Sequence, residues 1–168
     1  MPISKTLTNH LDKNKIKYEI LKHKTVFTVY DKAQTLKKKL NEIAKTLLVK
    51  ADKEYWLVVL PAHLKLDFGK LKKMLKAKKI SIAPEKEMKT KLGVKPGTIT
   101  PFATIHKKIG IMVDNGLLKT QHVILGAGTF NESIRMKAKD YFKLESPQKG
   151  AIGKSAGIKL QVKGKKKK

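Results

Sequence analysis

The sequence contains no cysteine and only one arginine, Arg135, among its 168 residues. The absence of cysteine excludes disulfide bonds, thiolate metal sites and cysteine nucleophiles. Acidic and aromatic residues are also scarce, with 13 Asp and Glu against 39 Lys and Arg, and 6% aromatics. No apolar run approaches the roughly 20 residues of a membrane-spanning helix, and the first residues lack the apolar stretch of a signal peptide. We therefore expect a cytoplasmic protein that does not bind membranes.

The net charge of +26 is the strongest signal in the sequence. Eight lysines follow Glu145, the last acidic residue, so the preceding part of the chain still carries about +18. A surface of this charge attracts a polyanion, which can be nucleic acid, an anionic membrane or an acidic protein. Lysine enrichment through heat adaptation normally comes with matching glutamate, and glutamate does not keep pace here. Nucleic acid is therefore the preferred partner.

Length and periodicity predict one α/β domain over residues 1–146. Apolar residues at helical spacing predict helices near the start of the chain and after Thr28, where Asp31 completes a capping box. Asp67, Pro84 and Gly93 mark the ends of further helices. Apolar runs of strand length predict a mixed sheet, with strands near residues 17–21, 46–49, 56–60, 80–82, 109–113, 123–125 and 134–136.

From Pro147 onward the composition shifts to Gly, Ser and Lys. We interpret residues 147–168 as a basic extension that follows the domain. Apolar residues alternate with polar ones over residues 158–162, which predicts one added strand. The last four lysines are expected to be disordered.

Most of the short motifs in the sequence do not indicate a catalytic, metal-binding or cofactor-binding site. The five histidines have no metal-ligand spacing, and no metal or cofactor is expected. Ser155 stands in a Gly-x-Ser-x-Gly sequence typical of a nucleophile elbow, but neither an acid nor a histidine follows it. Gly126 and Gly128 lack the third glycine of a dinucleotide-binding loop, so a tight turn is the preferred interpretation.

Lys45 and the segment Gly97–Pro101 are the candidates for a site. Lys45 stands at the start of a predicted core strand, where an ammonium group needs an anion or a carbonyl as partner. A lysine in this position can also extend to water, and that alternative stays open. Gly97 gives the following segment a flexible start and Pro101 a rigid end, which would let peptide N–H groups point at an oxyanion. An ordinary turn is the alternative.

Taken together, these segments resemble the YbaK and ProX family of free-standing prolyl-tRNA editing domains. The similarity covers about residues 1–145, and the matching segments are His23 with Thr28, 43–49, 57–61, 66–71, 97–102 and 126–134. It implies an α/β domain with a curved mixed β-sheet flanked by helices. The implied activity is hydrolysis of the ester that joins an amino acid to the 3′ end of tRNA.

The resemblance also implies the site residues. Lys45 matches the essential lysine of the family, and Gly97 and Thr98 belong to its substrate loop, so these three are the predicted catalytic residues. The predicted substrate-binding residues are His23, Phe27, Thr28, Ile99, Thr100, Pro101, Phe102, Gly128, Thr129, Asn131 and Ser133, with Phe27, Ile99 and Phe102 setting the size of the pocket.

Two departures from the family leave the amino acid open. Some relatives place a tyrosine before the first histidine, where this chain has Leu21 and Lys22. The later pocket loop of relatives can carry a histidine or a glycine pair, and here it reads Gly-Thr-Phe-Asn from Gly128. The expected substrate is tRNA carrying a small residue such as alanine, cysteine or serine, and a synthetase or the ribosome is a further candidate partner. The alternative function is a non-catalytic, basic RNA-binding protein that retains the editing fold.

Overall fold

The computed structural model describes residues 5–93, 99–106 and 109–155. Within these ranges the chain forms five α-helices, none of which is long and apolar enough to cross a membrane. The helices are α1 (Lys5–Lys13), α2 (Val29–Leu36), α3 (Phe68–Leu75), α4 (Glu85–Leu92) and α5 (Ala138–Glu145). Single turns of 3-10 helix occur at Leu40–Glu42, Ala103–Ile105 and Asn115–Lys119.

Ten strands in the same ranges divide between three sheets. They are β1 (Tyr18–Lys22), β2 (Ala44–Ala51), β3 (Glu54–Pro61), β4 (Leu64–Leu66), β5 (Ile80–Ile82), β6 (Ile109–Asp114), β7 (His122–Gly126), β8 (Glu132–Lys137), β9 (Gln148–Gly150) and β10 (Gly153–Ser155). The strand orders are β5-β2-β3-β6-β9, β1-β8-β7 and β10-β4. The five-stranded sheet mixes antiparallel and parallel pairs, as predicted, and the domain is of the α/β class.

The β2–β3 hairpin forms the centre of the large sheet. Its two strands pair along their full length from Ala44 opposite Pro61 to Ala51 opposite Glu54, and Asp52 in the turn has a φ of 55°. Apolar side chains of β3 are buried on both faces of the sheet, which explains the continuous hydrophobic run in the sequence. The strands predicted near residues 46–49 and 56–60 are therefore confirmed, and they pair as a hairpin.

A parallel bridge between Ile43 and Ile124 joins the large sheet to the three-stranded sheet. Both side chains are fully or almost fully buried, at 0% and 1% exposure. The first residues of β2 therefore lie beside the last residues of β7. This junction places Lys45 close to the glycine-containing loop that follows β7.

Local capping signals in the sequence are confirmed. The Thr28 hydroxyl accepts a hydrogen bond from the Asp31 amide, and the Asp67 carboxylate accepts one from the Lys70 amide. Gly93 ends α4 with a φ of 69°, a conformation that glycine adopts without strain. Short polar motifs therefore fix where α2, α3 and α4 begin or end.

Regular structure continues beyond residue 146, whereas the composition predicted that a basic extension begins at residue 147. Strand β9 pairs in parallel with β6, and β10 pairs with β4. Ile152 between them is fully buried, and the buried Asp114 carboxylate accepts hydrogen bonds from the amides of Ile152, Gly153 and Gly116. Backbone pairing and a single apolar side chain leave little trace in a sequence rich in Gly and Lys. Residues 156–168, which include the predicted strand over 158–162, lie outside the described residues.

Candidate functional site

A cavity of about 170 Å³ lies at the junction of the two larger sheets. Its walls come from the segment before α2, from α2 itself, from the start of β2, and from the ends of two loops. The lining residues are Val26, Phe27, Thr28, Val29, Lys32, Ala44, Lys45, Thr46, Ile99, Gly126 and Thr129. The cavity thus gathers residues that are up to about a hundred positions apart in sequence.

Lys45 lies on the cavity wall with its side chain held by the backbone. It occupies the second position of β2, opposite Leu60, and its Nζ donates a hydrogen bond of 2.6 Å to the carbonyl oxygen of Leu64. Burial lowers the pKa of Lys45. An ammonium group has three N–H donors, so the bond to Leu64 fixes its direction without using its whole capacity. Lys45 is therefore suited to bind an anion or a carbonyl in the cavity.

Lys32 is a second cation on the same wall, and sequence reasoning did not select it. It belongs to the first turns of α2, where its backbone amide donates to the Thr28 carbonyl. Burial lowers the pKa of Lys32 to about 8. A positive charge near a helix N-terminus is also opposed by the helix dipole. The protein thus holds a second ammonium group in the cavity at a cost in folding free energy.

Replacing Lys32 with methionine is expected to stabilise the protein near neutral pH. The folded pKa of about 8 lies below the ordinary value of 10.5. Below pH 8 the lysine must therefore be buried in its charged form, and this penalty fades as pH rises from 8 towards 10.5. We expect a gain of about 1–2 kcal/mol in Lys32→Met, allowing for partial solvent contact. Urea denaturation near pH 7 and near pH 10 measures the change.

The matched control for Lys32 is Lys73→Met, since Lys73 is an exposed lysine of α3. It should leave the free energy of unfolding unchanged at both pH values. A Lys32→Met variant that is no more stable than wild type near neutral pH, or whose gain grows with pH, would contradict the assignment of a buried, strained cation.

Another part of the lining depends on a close approach between the end of β7 and the segment that contains Ile99. A Cβ atom at Gly126 would lie only 2.9 Å from the carbonyl oxygen of Ile99, so a larger residue would push that segment away. Gly128 has a φ of +90° and lies against the methyl group of Thr100. The Thr129 hydroxyl oxygen is buried and has no hydrogen-bond partner within the described residues. A polar group of a bound ligand would satisfy it.

A contact between His23 and Ser133 links two segments next to the cavity. The Nε2 atom of His23 lies 3.0 Å from the Ser133 hydroxyl, and its Nδ1 atom lies 2.8 Å from the Lys24 carbonyl. A carbonyl can only accept, so in the neutral ring Nδ1 carries the proton and Nε2 accepts from the hydroxyl. The amide of His23 also donates to the Asn131 carbonyl. These contacts hold the segments on either side of the cavity in register.

Among the predicted site residues, Phe27, Thr28, Ile99 and Thr129 line the cavity together with Lys45. His23, Thr100, Gly128, Asn131 and Ser133 belong to the surrounding segments and are not part of the lining. Gly97 and Thr98 lie outside the described residues. The lining residues that sequence reasoning did not select are Val26, Val29, Lys32, Ala44, Thr46 and Gly126.

The structure places Phe102 in the core, away from the cavity lining. Its side chain is 0% exposed, and its ring packs edge-to-face on Tyr141 at 5.6 Å between centroids. The Tyr141 hydroxyl donates to the carbonyl oxygen of Pro101 at 2.6 Å. Pro101 and Phe102 therefore anchor the segment that leads from Ile99 to the body of the protein.

The chemistry of the cavity is that of a binding site for a polar, anionic group. Two ammonium groups and the hydroxyls of three threonines (Thr28, Thr46 and Thr129) share it with aliphatic side chains. The lining residues that the structure describes include no carboxylate, imidazole or thiol. Nor do the described ranges contain a group of three His, Asp or Glu residues that could hold a metal ion.

Comparisons with known proteins identify relatives of this chain. The proline–tRNA ligase of Staphylococcus saprophyticus is 32% identical over 102 residues, covering 61% of this chain and 18% of the ligase. That of Staphylococcus aureus is 29% identical over 119 residues, covering 71% of this chain and 21% of the ligase. The chain thus spans about a fifth of the length of these relatives.

Solved structures share the fold. A hypothetical protein superposes with a TM-score of 0.83 at 20% identity, over 89% of this chain and 100% of its own. A protein described as a proposed trans-editing enzyme for prolyl-tRNA synthetase gives 0.78 at 20% identity, over 92% and 100%. The family model of the aminoacyl-tRNA editing domain matches residues 23–144, which include every residue that lines the cavity. The chain therefore belongs to the aminoacyl-tRNA editing domain family.

Proposed function

We propose that this protein is an aminoacyl-tRNA deacylase, which hydrolyses the ester between a small amino acid and the 3′ end of tRNA. The observation that carries the proposal is the cavity at Lys45, which a second partly buried lysine also lines, together with a buried Thr129 hydroxyl that has no hydrogen-bond partner among the described residues. The net charge of +26 supports tRNA as partner. Similarity to proline–tRNA ligases supports tRNA charged by prolyl-tRNA synthetase as the substrate pool.

The resemblance to free-standing prolyl-tRNA editing domains supports a small amino acid, such as alanine, serine or cysteine. A pocket rejects larger side chains sterically, but it separates small ones by only about 1–3 kcal/mol.

The reaction needs little from the protein besides positioning. Water attacks the ester carbonyl carbon, an oxyanion forms, and collapse of the tetrahedral intermediate expels the ribose oxygen, which takes up a proton. The neighbouring ribose hydroxyl of the substrate can orient the water and relay its proton to the leaving ribose oxygen, which compensates for a lining without a base. Lys45 holds the ester carbonyl or the terminal phosphate by charge-assisted hydrogen bonds. Gly97 and Thr98 stay predicted donors to the oxyanion.

Wild-type protein is expected to accelerate deacylation of tRNA carrying alanine, serine or cysteine. A panel of tRNAs charged with these residues, with proline and with phenylalanine tests the proposal by release of the labelled amino acid. Because the resemblance implies a small amino acid, we expect less acceleration for phenylalanine than for alanine, serine or cysteine. If no charged tRNA is hydrolysed faster than in buffer while tRNA still binds, the non-catalytic RNA-binding function replaces this one.

A further inference from the structure

An aromatic pair lies beside the cavity, with Phe27 among the lining residues and Phe130 packed against it. Phe27 is 70% exposed, the largest exposed fraction among the large hydrophobic side chains that the structure describes. Its ring centroid lies 5.0 Å from that of Phe130, with 52° between the ring planes. Exposure of such a ring is unfavourable in water unless a ligand covers it. At this exposure, most of the Phe27 ring is free to contact a ligand.

The backbone holds the Phe27 ring in this position. On one side, Val26 is buried at 5% exposure, and its amide donates to the Phe130 carbonyl at 2.9 Å. On the other side, Thr28 caps α2 through its hydroxyl. The chain is therefore fixed before and after Phe27, and the ring between them faces outward. A side chain presented in this way is a preformed surface rather than a residue of a loose loop.

The groups around the cavity complement a nucleotide, which joins an anionic phosphate to a flat base. Lys45 and Lys32 provide cations on the wall, whereas the face of Phe27 is flat, apolar and directed to solvent. Tyr30 in the first turn of α2 is a second exposed ring, at 45%. Aromatic side chains beside cations bind unpaired bases by stacking, and every base offers a π-face.

We propose that Phe27, supported by Phe130, is a stacking platform for the unpaired base of the terminal nucleotide whose ester enters the cavity. The inference rests on the proposed function, because it takes the 3′ end of a nucleic acid as the ligand. It assigns Phe27 to the base, whereas the resemblance had assigned it to the amino-acid pocket. The base is the group adjacent to the esterified ribose, and Phe27 lines the cavity that receives the ester.

A double-mutant cycle, in which the Phe27 ring and the terminal base are each removed and binding is measured, tests the platform without requiring hydrolysis. The two ligands are the trinucleotide CCA and the same trinucleotide without its terminal base. We expect Phe27→Ala to weaken CCA binding by roughly 5- to 150-fold, the usual effect of losing one base–aromatic stack. The same variant should weaken the abasic ligand by less than about twofold. Phe27→Tyr, which keeps the ring, should bind CCA like wild type.

Two further variants separate stacking from other effects. Phe68→Ala removes an exposed ring, at 43%, from α3, outside the cavity lining, and should leave CCA binding unchanged. Phe27→Leu keeps apolar volume without a π-face and should bind almost as weakly as Phe27→Ala. The proposal is overturned by equal losses on both ligands, by full binding in Phe27→Leu, or by a wild type that does not bind CCA. A wild type that binds CCA through Phe27 but deacylates no tRNA would retain the platform and overturn the deacylase.

Discussion

Lys45→Ala is expected to lower kcat/KM for deacylation of the preferred charged tRNA by about 100- to 1,000-fold. The reason is the loss of an ammonium group that the Leu64 carbonyl already directs, at 2.6 Å. A charge-assisted bond from such a group to the substrate strengthens as negative charge develops on the ester oxygen. Steady-state release of the labelled amino acid, with circular dichroism to verify folding, measures the effect.

Two variants accompany this prediction. Lys45→Met retains most of the aliphatic stem, so an equal loss of activity would assign the effect to the charge rather than to packing. Lys50→Ala removes a lysine from the same strand, where it lies 3.7 Å from Glu87 and outside the cavity lining, and should change kcat/KM less than about twofold. Full activity in Lys45→Met would remove the ammonium group from the mechanism.

Asp114→Ala is expected to destabilise the fold by about 3–5 kcal/mol. The carboxylate is 4% exposed and accepts hydrogen bonds from the amides of Gly116, Ile152 and Gly153 at 2.7, 2.9 and 2.8 Å. Alanine would remove the acceptor from all three donors. A buried unsatisfied group such as the Ile152 amide costs about 1–3 kcal/mol, and the partly buried amides of Gly116 and Gly153 add less. Since small domains are stable by only about 5–15 kcal/mol, the loss should be evident as a large shift in urea denaturation.

The comparison variants for Asp114 differ in what they preserve. Asp114→Asn keeps one acceptor oxygen and should fall between wild type and alanine. Asp12→Ala removes an exposed carboxylate that accepts from the Tyr18 hydroxyl at 3.1 Å, and should cost about 0.5 kcal/mol or less. A loss below about 1 kcal/mol in Asp114→Ala would show that the segment around Ile152 contributes little to folding.

Sequence reasoning was strongest where structure is determined by neighbouring residues. The capping residues Thr28 and Asp67 and the helix end at Gly93 act within three or four positions of themselves. The β2–β3 hairpin was equally accessible, because two apolar runs of strand length flank a short polar turn. These elements decide most of the α/β fold and the position of Lys45 at the start of a core strand.

Helical periodicity in the sequence already indicates where the side chain of Lys32 lies. It lies three residues after Val29 and four before Leu36, so helical periodicity places it on the same face as the apolar residues of α2. A lysine on such a face is either covered at a cost or directed at a ligand. Only the tertiary structure, in which α2, the start of β2 and the loop after β7 line one space, shows that Lys32 faces a cavity.

The buried position of the Phe102 ring could not be predicted from the sequence. The sequence shows it one residue after Pro101 in the substrate loop of a resembling family, and that position alone does not indicate which way the ring turns. Its partner Tyr141 is thirty-nine residues away in α5, and their edge-to-face contact is a product of tertiary packing. The same limit applies to the residues after 146, whose backbone pairing leaves almost no compositional signal.

The pairing of β10 with β4 joins the lysine-rich end of the sequence to the residue that directs Lys45. Ser155 pairs with Leu64, and the Leu64 carbonyl accepts the bond from Lys45 Nζ. Six lysines follow Ser155 in the sequence. We expect a polyanion whose end occupies the cavity to meet these covalently attached lysines at the effective concentration of a tether, not at that of a separate molecule. For tRNA, occupation of the cavity and neutralisation of its phosphates by these lysines would then be coupled as one bivalent event.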